Sequence, residues 1–119
     1  MEYRLDIPIY LQIMKEMKMK IVSGKWEAGM HVSSVRDLAA DYRVNPNTMQ
    51  RALAEMEREG LMATDRTVGR LVTQDTGRIT QEREQMAERV VQDFLEQMTQ
   101  MGFSWETIMM WITKHKQEG

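Results

Sequence analysis

Residues 34 to 48 carry two helix-start signals separated by little more than a tight turn. Ser34-Val35-Arg36-Asp37 has the form of a capping box: Ser34 can accept from the amide three residues on, while Asp37 reaches back. Asn45-Pro46 then pairs a favoured N-cap with a favoured first helical residue. The first of these helices buries Val35, Leu38 and Ala39 and ends near Tyr42, so residues 42 to 45 form the whole connection. The second carries Met49, Leu53 and Met56 inward, has Ala52 where another helix can approach, and stops at Gly60. The pattern predicts a helix-turn-helix.

The flanking segments extend this unit. Ile9, Ile13, Met17 and Ile21 recur every four residues beside Tyr10, Met14 and Val22, which predicts a helix from about Pro8 to Ser23. Asp6 is its expected cap, and Gly24 its stop. Residues 26 to 30 read as a loop. After Gly60, the runs 61–64 and 70–73 read as two short strands around a Gly-containing turn. Composition shifts after Asp75-Thr76-Gly77. From about Thr80 to Met101, Met86, Ala87, Val90, Val91, Phe94, Leu95, Met98 and Met101 form a wide stripe on a helix about 33 Å long. Gly102 breaks it, and Ser104 caps a final helix bearing Trp105, Ile108, Met109, Trp111 and Ile112. The expected fold is mainly α with a small β-hairpin: a winged helix-turn-helix domain over 1–75, then a two-helix arm over 76–119. The alternative is a helical domain whose hairpin is only a connector.

Several function classes are excluded. The 119 residues include no cysteine, so disulfides, thiolate metal sites and cysteine nucleophiles are ruled out. His31 and His115 are the only histidines, too few for a His-rich metal site, and no metal or cofactor is expected. Apolar runs are far too short to span a membrane, and no apolar signal region follows Met1, so the cytoplasm is the expected compartment. Ser33, His31 and Asp37 are loop neighbours rather than a catalytic triad, and Glu55, Glu57 and Glu59 point in different directions on a helix. No Gly-rich phosphate motif occurs. An enzyme is not expected.

Charge placement says more than the net charge of −2. Three windows lack acids: between Glu27 and Asp37, between Asp41 and Glu55, and between Asp65 and Asp75. They coincide with the start of the second helix, the start of the third, and the hairpin tip, the places where a winged helix-turn-helix approaches a duplex. A phosphate-facing surface excludes carboxylates and offers donors. Ser34 and Arg36 stand in the first window. The second holds Asn45, Asn47, Thr48, Gln50 and Arg51, of which Asn47 and Gln50 suit adenine and Arg51 suits guanine. The third holds Arg66, Gly69 and Arg70, with Gly69 permitting close approach to DNA. Taken singly, each of these residues also fits a solvated helix face, a local salt bridge or an ordinary turn.

Methionine is abundant, with 13 copies. Most fall at helical core positions, but Phe94, Met98, Met101, Phe103, Trp105, Met109, Met110 and Trp111 crowd together near the end. Two helices cannot bury that much apolar surface against each other alone, so a second copy of the arm is the expected cover. Phe94, Met98, Trp105 and Met109 are the expected dimer contacts, though any one can instead belong to the arm's own core. Aromatic pockets at such an interface suit a planar small-molecule effector.

Pro8-Ile9-Tyr10-Leu11-Gln12-Ile13, Gly24, Gly29, Ser34-Val35-Arg36-Asp37-Leu38-Ala39, Asn47-Thr48-Met49, Ala52-Leu53, Glu57, Glu59-Gly60-Leu61 and Gly69-Arg70-Leu71-Val72 resemble the GntR winged-helix domain over about residues 7–75. The short arm, including its Met101-Gly102-Phe103-Ser104 break, is similar to the dimerisation arm of the YtrA subfamily. The resemblance implies a bacterial transcriptional repressor that dimerises on an inverted repeat of double-stranded DNA. It also implies control of its own operon together with a transporter. In the family, the positions of Arg36, of residues 45 to 51 and of Gly69 contact DNA. The chain departs from the family at Val32-Ser33-Ser34, where Leu-Pro-Ser is usual, at Asn45-Pro46 in place of a Ser-Arg pair, and at Thr67 in place of the first wing glycine. The runner-up function is a helical protein–protein adaptor without specific DNA binding.

Overall fold

The computed structural model describes residues 1–116; Gln117, Glu118 and Gly119, the end of the expected arm, lie outside the described residues. The elements are α1 (Ile9–Val22), α2 (Val35–Tyr42), α3 (Pro46–Arg58), β1 (Met62–Asp65), β2 (Gly69–Val72), α4 (Thr76–Gln100) and α5 (Trp105–Lys114). They form two compact units, Met1–Arg83 and Glu84–Gly119.

The first unit is built on the predicted helix stripes. Ile13, Met17 and Ile21 of α1, Leu38 and Ala39 of α2, and Met49, Leu53 and Met56 of α3 are buried together with Leu61, Met62 and Val72. Each fully buried aliphatic side chain of this kind contributes roughly 1.5–3 kcal/mol. Ala52 is fully buried where its small side chain lets α3 pack closely. Val35, expected inside, is only partly buried. Ser34 and Asn45 act as the caps expected of them: Asp37 N–H donates to Ser34 Oγ at 3.1 Å, and Asn47 N–H donates to Asn45 Oδ1 at 2.7 Å. The tight turn between α2 and α3 puts Arg43 in the left-handed region, at φ 55°.

Asp6 does not cap α1. Its carboxylate pairs with Arg4 at 2.6 Å, and Pro8 stands at the N-cap with no side-chain cap bond. Gln12 organises this end instead: its Nε2 donates to the carbonyls of Arg4 and Ile7, and its Oε1 accepts from Arg4 N–H. One amide side chain thereby folds the incoming segment against the first turns of the helix.

The hairpin is antiparallel, pairing Met62 with Val72, Ala63 with Leu71, Thr64 with Arg70 and Asp65 with Gly69. A third edge, not expected from sequence, joins it. Val32 N–H donates to the Arg70 carbonyl, and Val72 N–H donates to the Met30 carbonyl, each at 2.9 Å, which makes His31 the bridge partner of Leu71. Residues 30 to 32 are therefore part of the wing sheet and tie it to the chain entering α2.

The helix expected from about Thr80 starts earlier, at Thr76, because Asp75 is an N-terminal cap: its Oδ1 accepts from Arg78 N–H at 3.0 Å. The first two turns of α4 belong to the first compact unit, Met1–Arg83. An ionic cluster holds them there. Glu82 is 1% exposed and takes Arg78 Nη2 at 2.9 Å, with Lys18 Nζ at 3.6 Å. Lys18 also reaches Glu59 Oε1 at 2.7 Å, and Arg78 Nε donates to the Glu59 carbonyl at 2.9 Å. Two cations and two carboxylates thus join α1, the end of α3 and the start of α4.

The second unit comprises the rest of α4 and α5. Gly102, at φ +89°, makes the expected break, and Ser104 Oγ accepts from Thr107 N–H at 3.3 Å to cap α5. Met98 and Ile108 are its buried apolar residues, and Phe103 packs against Trp111 with ring centroids 4.7 Å apart. No helix among the described residues is long and apolar enough to cross a membrane.

Candidate nucleic-acid interface

Helical spacing settles which side of α3 is available. Met49, Ala52, Leu53 and Met56 face the core, so Asn47, Gln50 and Arg51, three and four positions apart, share the opposite, exposed face. Ala54 continues that exposed row, a position sequence reasoning missed; its methyl suits contact with a thymine methyl. Thr48 is half-buried in the first turn. Asn45 and Ser34 are exposed but commit a side-chain oxygen to capping.

The arginines divide into two groups. Arg36 and Arg66 are exposed and have no ion-pair partner among the described residues, as is also true of Arg43 in the turn. No salt bridge joins Arg36 to its neighbours Asp37 and Asp41. Arg51 has its Cζ 3.9 Å from the centre of the Tyr10 ring and donates from Nη2 to the Tyr10 hydroxyl at 3.3 Å. Arg70 is engaged: its Nε donates to Glu57 Oε1 at 2.7 Å, and the pair is largely shielded from solvent. Its charge is shared with Glu57, which gives Arg70 a part in placing the wing.

Glu57 is the hub of that placement. Thr64 and Arg70 are cross-strand neighbours, and both reach the same Glu57 oxygen from the wing. One carboxylate on α3 therefore fixes the hairpin against the helix. The Thr64 hydroxyl and the Arg70 guanidinium outweigh partial burial and hold the Glu57 carboxyl below the usual glutamate value. Because the folded carboxyl titrates lower than in the unfolded chain, its contribution to stability is complete above the ordinary glutamate range. That contribution is lost as pH falls through the depressed folded value. Glu57→Gln should therefore be less stable than the wild type at neutral pH, with the gap narrowing below about pH 4.5. Urea unfolding of both proteins at several pH values checks this; a gap independent of pH would contradict it.

The wing tip replaces the missing glycine at Thr67 with side-chain chemistry. Asp65 Oδ1 accepts from the amides of Thr67 and Val68 at 2.7 and 3.2 Å, closing the turn. Gly69 stands at φ +87°, and a Cβ there would meet His31 Nε2 at 3.5 Å. Strain in the left-handed region, more than crowding, is what favours glycine at this position. Arg66 and Val68 are left exposed on the tip.

Of the expected arm contacts, Phe94, Trp105 and Met109 are exposed, together with Val90, Val91, Met101, Met110, Trp111 and Ile112. Met98, by contrast, is buried, at 7% exposed.

Comparison with known proteins agrees with this architecture. Residues 9–72 match the model for bacterial regulatory proteins of the gntR family. The chain is 30% identical to the HTH-type transcriptional regulator YhcF of Bacillus subtilis, over 99% of this chain and 98% of that protein. It is 34% identical to the HTH-type transcriptional repressor YtrA of the same organism, over 74% of this chain and 72% of YtrA. A solved GntR family transcriptional regulator from Listeria monocytogenes superposes with a TM-score of 0.87 at 37% identity, covering 96% of this chain and all of the other. With the winged unit, its exposed α3 face and these similarities in hand, the chain belongs to the GntR family and is a non-enzymatic, DNA-binding bacterial transcriptional regulator.

Proposed function

We propose that the protein is a cytoplasmic, homodimeric repressor that binds an inverted-repeat operator, and that it controls its own operon together with a transporter. The observation that carries the DNA contacts is the exposed row of Asn47, Gln50 and Arg51 on α3, with Arg36 and Arg66 left without carboxylate partners among the described residues. In this reading α3 enters the major groove, Asn47 and Gln50 read adenine, and Arg51 reads guanine. Arg36, Arg43, Arg66 and the backbone at Gly69 meet phosphates, with Thr48 and the caps Ser34 and Asn45 beside them. Arg70 acts through Glu57 by setting the wing. Repression is supported by the similarity to YtrA, named a repressor; operon control rests on the subfamily resemblance alone.

Pairing through the second unit is supported by its exposed apolar residues, among them Phe94, Trp105 and Met109. So much apolar surface on two short helical segments calls for a cover, and a second copy supplies a self-complementary one. Dimerisation also fits the limits of one winged domain, which reads only a few base pairs; two domains act together on half-sites about one helical turn apart.

Selection from random duplex DNA, with the full chain and with residues 1–83, tests the whole reading. The full chain should enrich an inverted repeat and sediment as a dimer. The shorter protein should be monomeric, enrich single half-sites, and bind the repeat at least about a hundredfold more weakly. A truncated protein that still sediments as a dimer and holds the repeat as tightly as the full chain would remove the arm from the mechanism.

A further inference from the structure

We propose that Tyr10 is a positioning residue for sequence readout, holding the Arg51 guanidinium ready to grip a guanine. The inference rests on the assignment of Arg51 to base reading made above. Tyr10 belongs to α1 and is half-buried against the core, so its ring is a fixed platform and not a loose side chain. The Arg51 guanidinium lies 3.9 Å from the ring centre, close enough for cation–π attraction, and the 3.3 Å bond to the phenol oxygen ties one of its ends.

The neighbouring charges leave Arg51 free for this task. The acid one turn along α3, Glu55, is taken by Arg58 at 2.5 Å, so it does not neutralise Arg51. A free arginine on a helix surface samples many rotamers and gives up that freedom when it binds. Stacking on Tyr10 removes much of it beforehand. The stack also occupies a face of the planar guanidinium and only one of its five N–H donors. In-plane donors remain for the O6 and N7 of guanine, the paired acceptors that arginine reads. The arrangement joins α1, which does not itself carry a predicted base-reading residue, to the specificity of α3.

The test uses the full chain and the operator enriched from random DNA. Tyr10→Leu keeps apolar bulk against the core but removes the aromatic face; Tyr10→Phe keeps the face and removes the hydroxyl. Tyr10→Leu should weaken operator binding about two- to fivefold and leave binding to unrelated duplex unchanged. It should also relax the preference for guanine at one position of each half-site. Tyr10→Phe should lose less. In an Arg51→Ala background, Tyr10→Leu should add nothing, since its effect travels through Arg51. Thermal melting checks folding, and if Tyr10→Leu melts early, Tyr10→Phe alone and combined with Arg51→Ala carries the same comparison. Unchanged or tighter operator binding in the Tyr10 variants would overturn the inference, as would an undiminished loss in the Arg51→Ala background. Wild-type operator affinity in Arg51→Ala alone would overturn the base-reading assignment of Arg51 instead, which separates the two failures.

Discussion

Affinity for duplex DNA should fall by about a thousandfold or more when salt is raised from roughly 50 to 200 mM. The expectation runs against the net charge of −2, which would repel a polyanion if charge were spread evenly. It is not spread evenly. Arg36, Arg43 and Arg66 are exposed without carboxylate partners among the described residues, while Lys18, Arg58, Arg70 and Arg78 are each paired with a carboxylate of the chain itself. Three free arginines per protomer, doubled in a dimer and joined by backbone amides at the wing and helix starts, give about six to ten phosphate contacts. Each releases condensed counterions, so a plot of log affinity against log salt should have a slope of about −5 to −9. Fluorescence anisotropy on a labelled duplex at several salt concentrations measures it. A slope shallower than about −2 would mean that the acid-free windows do not meet phosphate.

The second large effect concerns stability. Glu82→Ala should cost about 3–5 kcal/mol. Glu82 is almost wholly buried, and removing its carboxylate leaves Lys18 on the Glu59 carboxylate and Arg78 with only the Glu59 backbone carbonyl. Arg78 is then a largely buried cation with its carboxylate removed, and the cost of a stranded buried charge exceeds that of a lost surface pair by several fold. Glu82→Gln keeps an oxygen for the Arg78 hydrogen bond and should lose less than Glu82→Ala. Urea denaturation of the full chain carrying each change measures the effect. A loss below about 1 kcal/mol for Glu82→Ala would show that the cluster is solvated and contributes like a surface pair.

The cluster also illustrates where sequence reading stops. Glu82 looks like any charged residue on a long amphipathic helix, and a carboxylate at that position is by default a solvated one. Only the packing of α1 and the end of α3 around α4 makes it buried, through Lys18 and Glu59, which are distant in sequence. The same packing draws the first two turns of α4 into the first compact unit, Met1–Arg83. The ion pair of Arg70 is hidden from sequence for a related reason. Its partner Glu57 lies on another element, and the register that places Thr64 opposite Arg70 is what brings both to one oxygen. Tyr10 was legible as part of a helix stripe and as part of a family motif, but its contact with Arg51 spans α1 and α3 and has no local signature.

What the amino-acid order determined by itself were the features governed by near neighbours. Ser34, Asn45 and Ser104 satisfy amides two or three residues away, Gly24, Gly69 and Gly102 supply left-handed backbone, and the period of Ile13, Met17 and Ile21 or of Met49, Leu53 and Met56 selects a buried face. Those features carry the helix-turn-helix, the hairpin and the exposed side of α3. The tertiary structure alone decided which charges are spent inside the protein and which stay available. It brought residues 30 to 32 into the wing sheet and buried Met98. The reason is range: capping and helical periodicity act over one turn of chain, whereas an ion pair or a sheet edge depends on where distant segments meet.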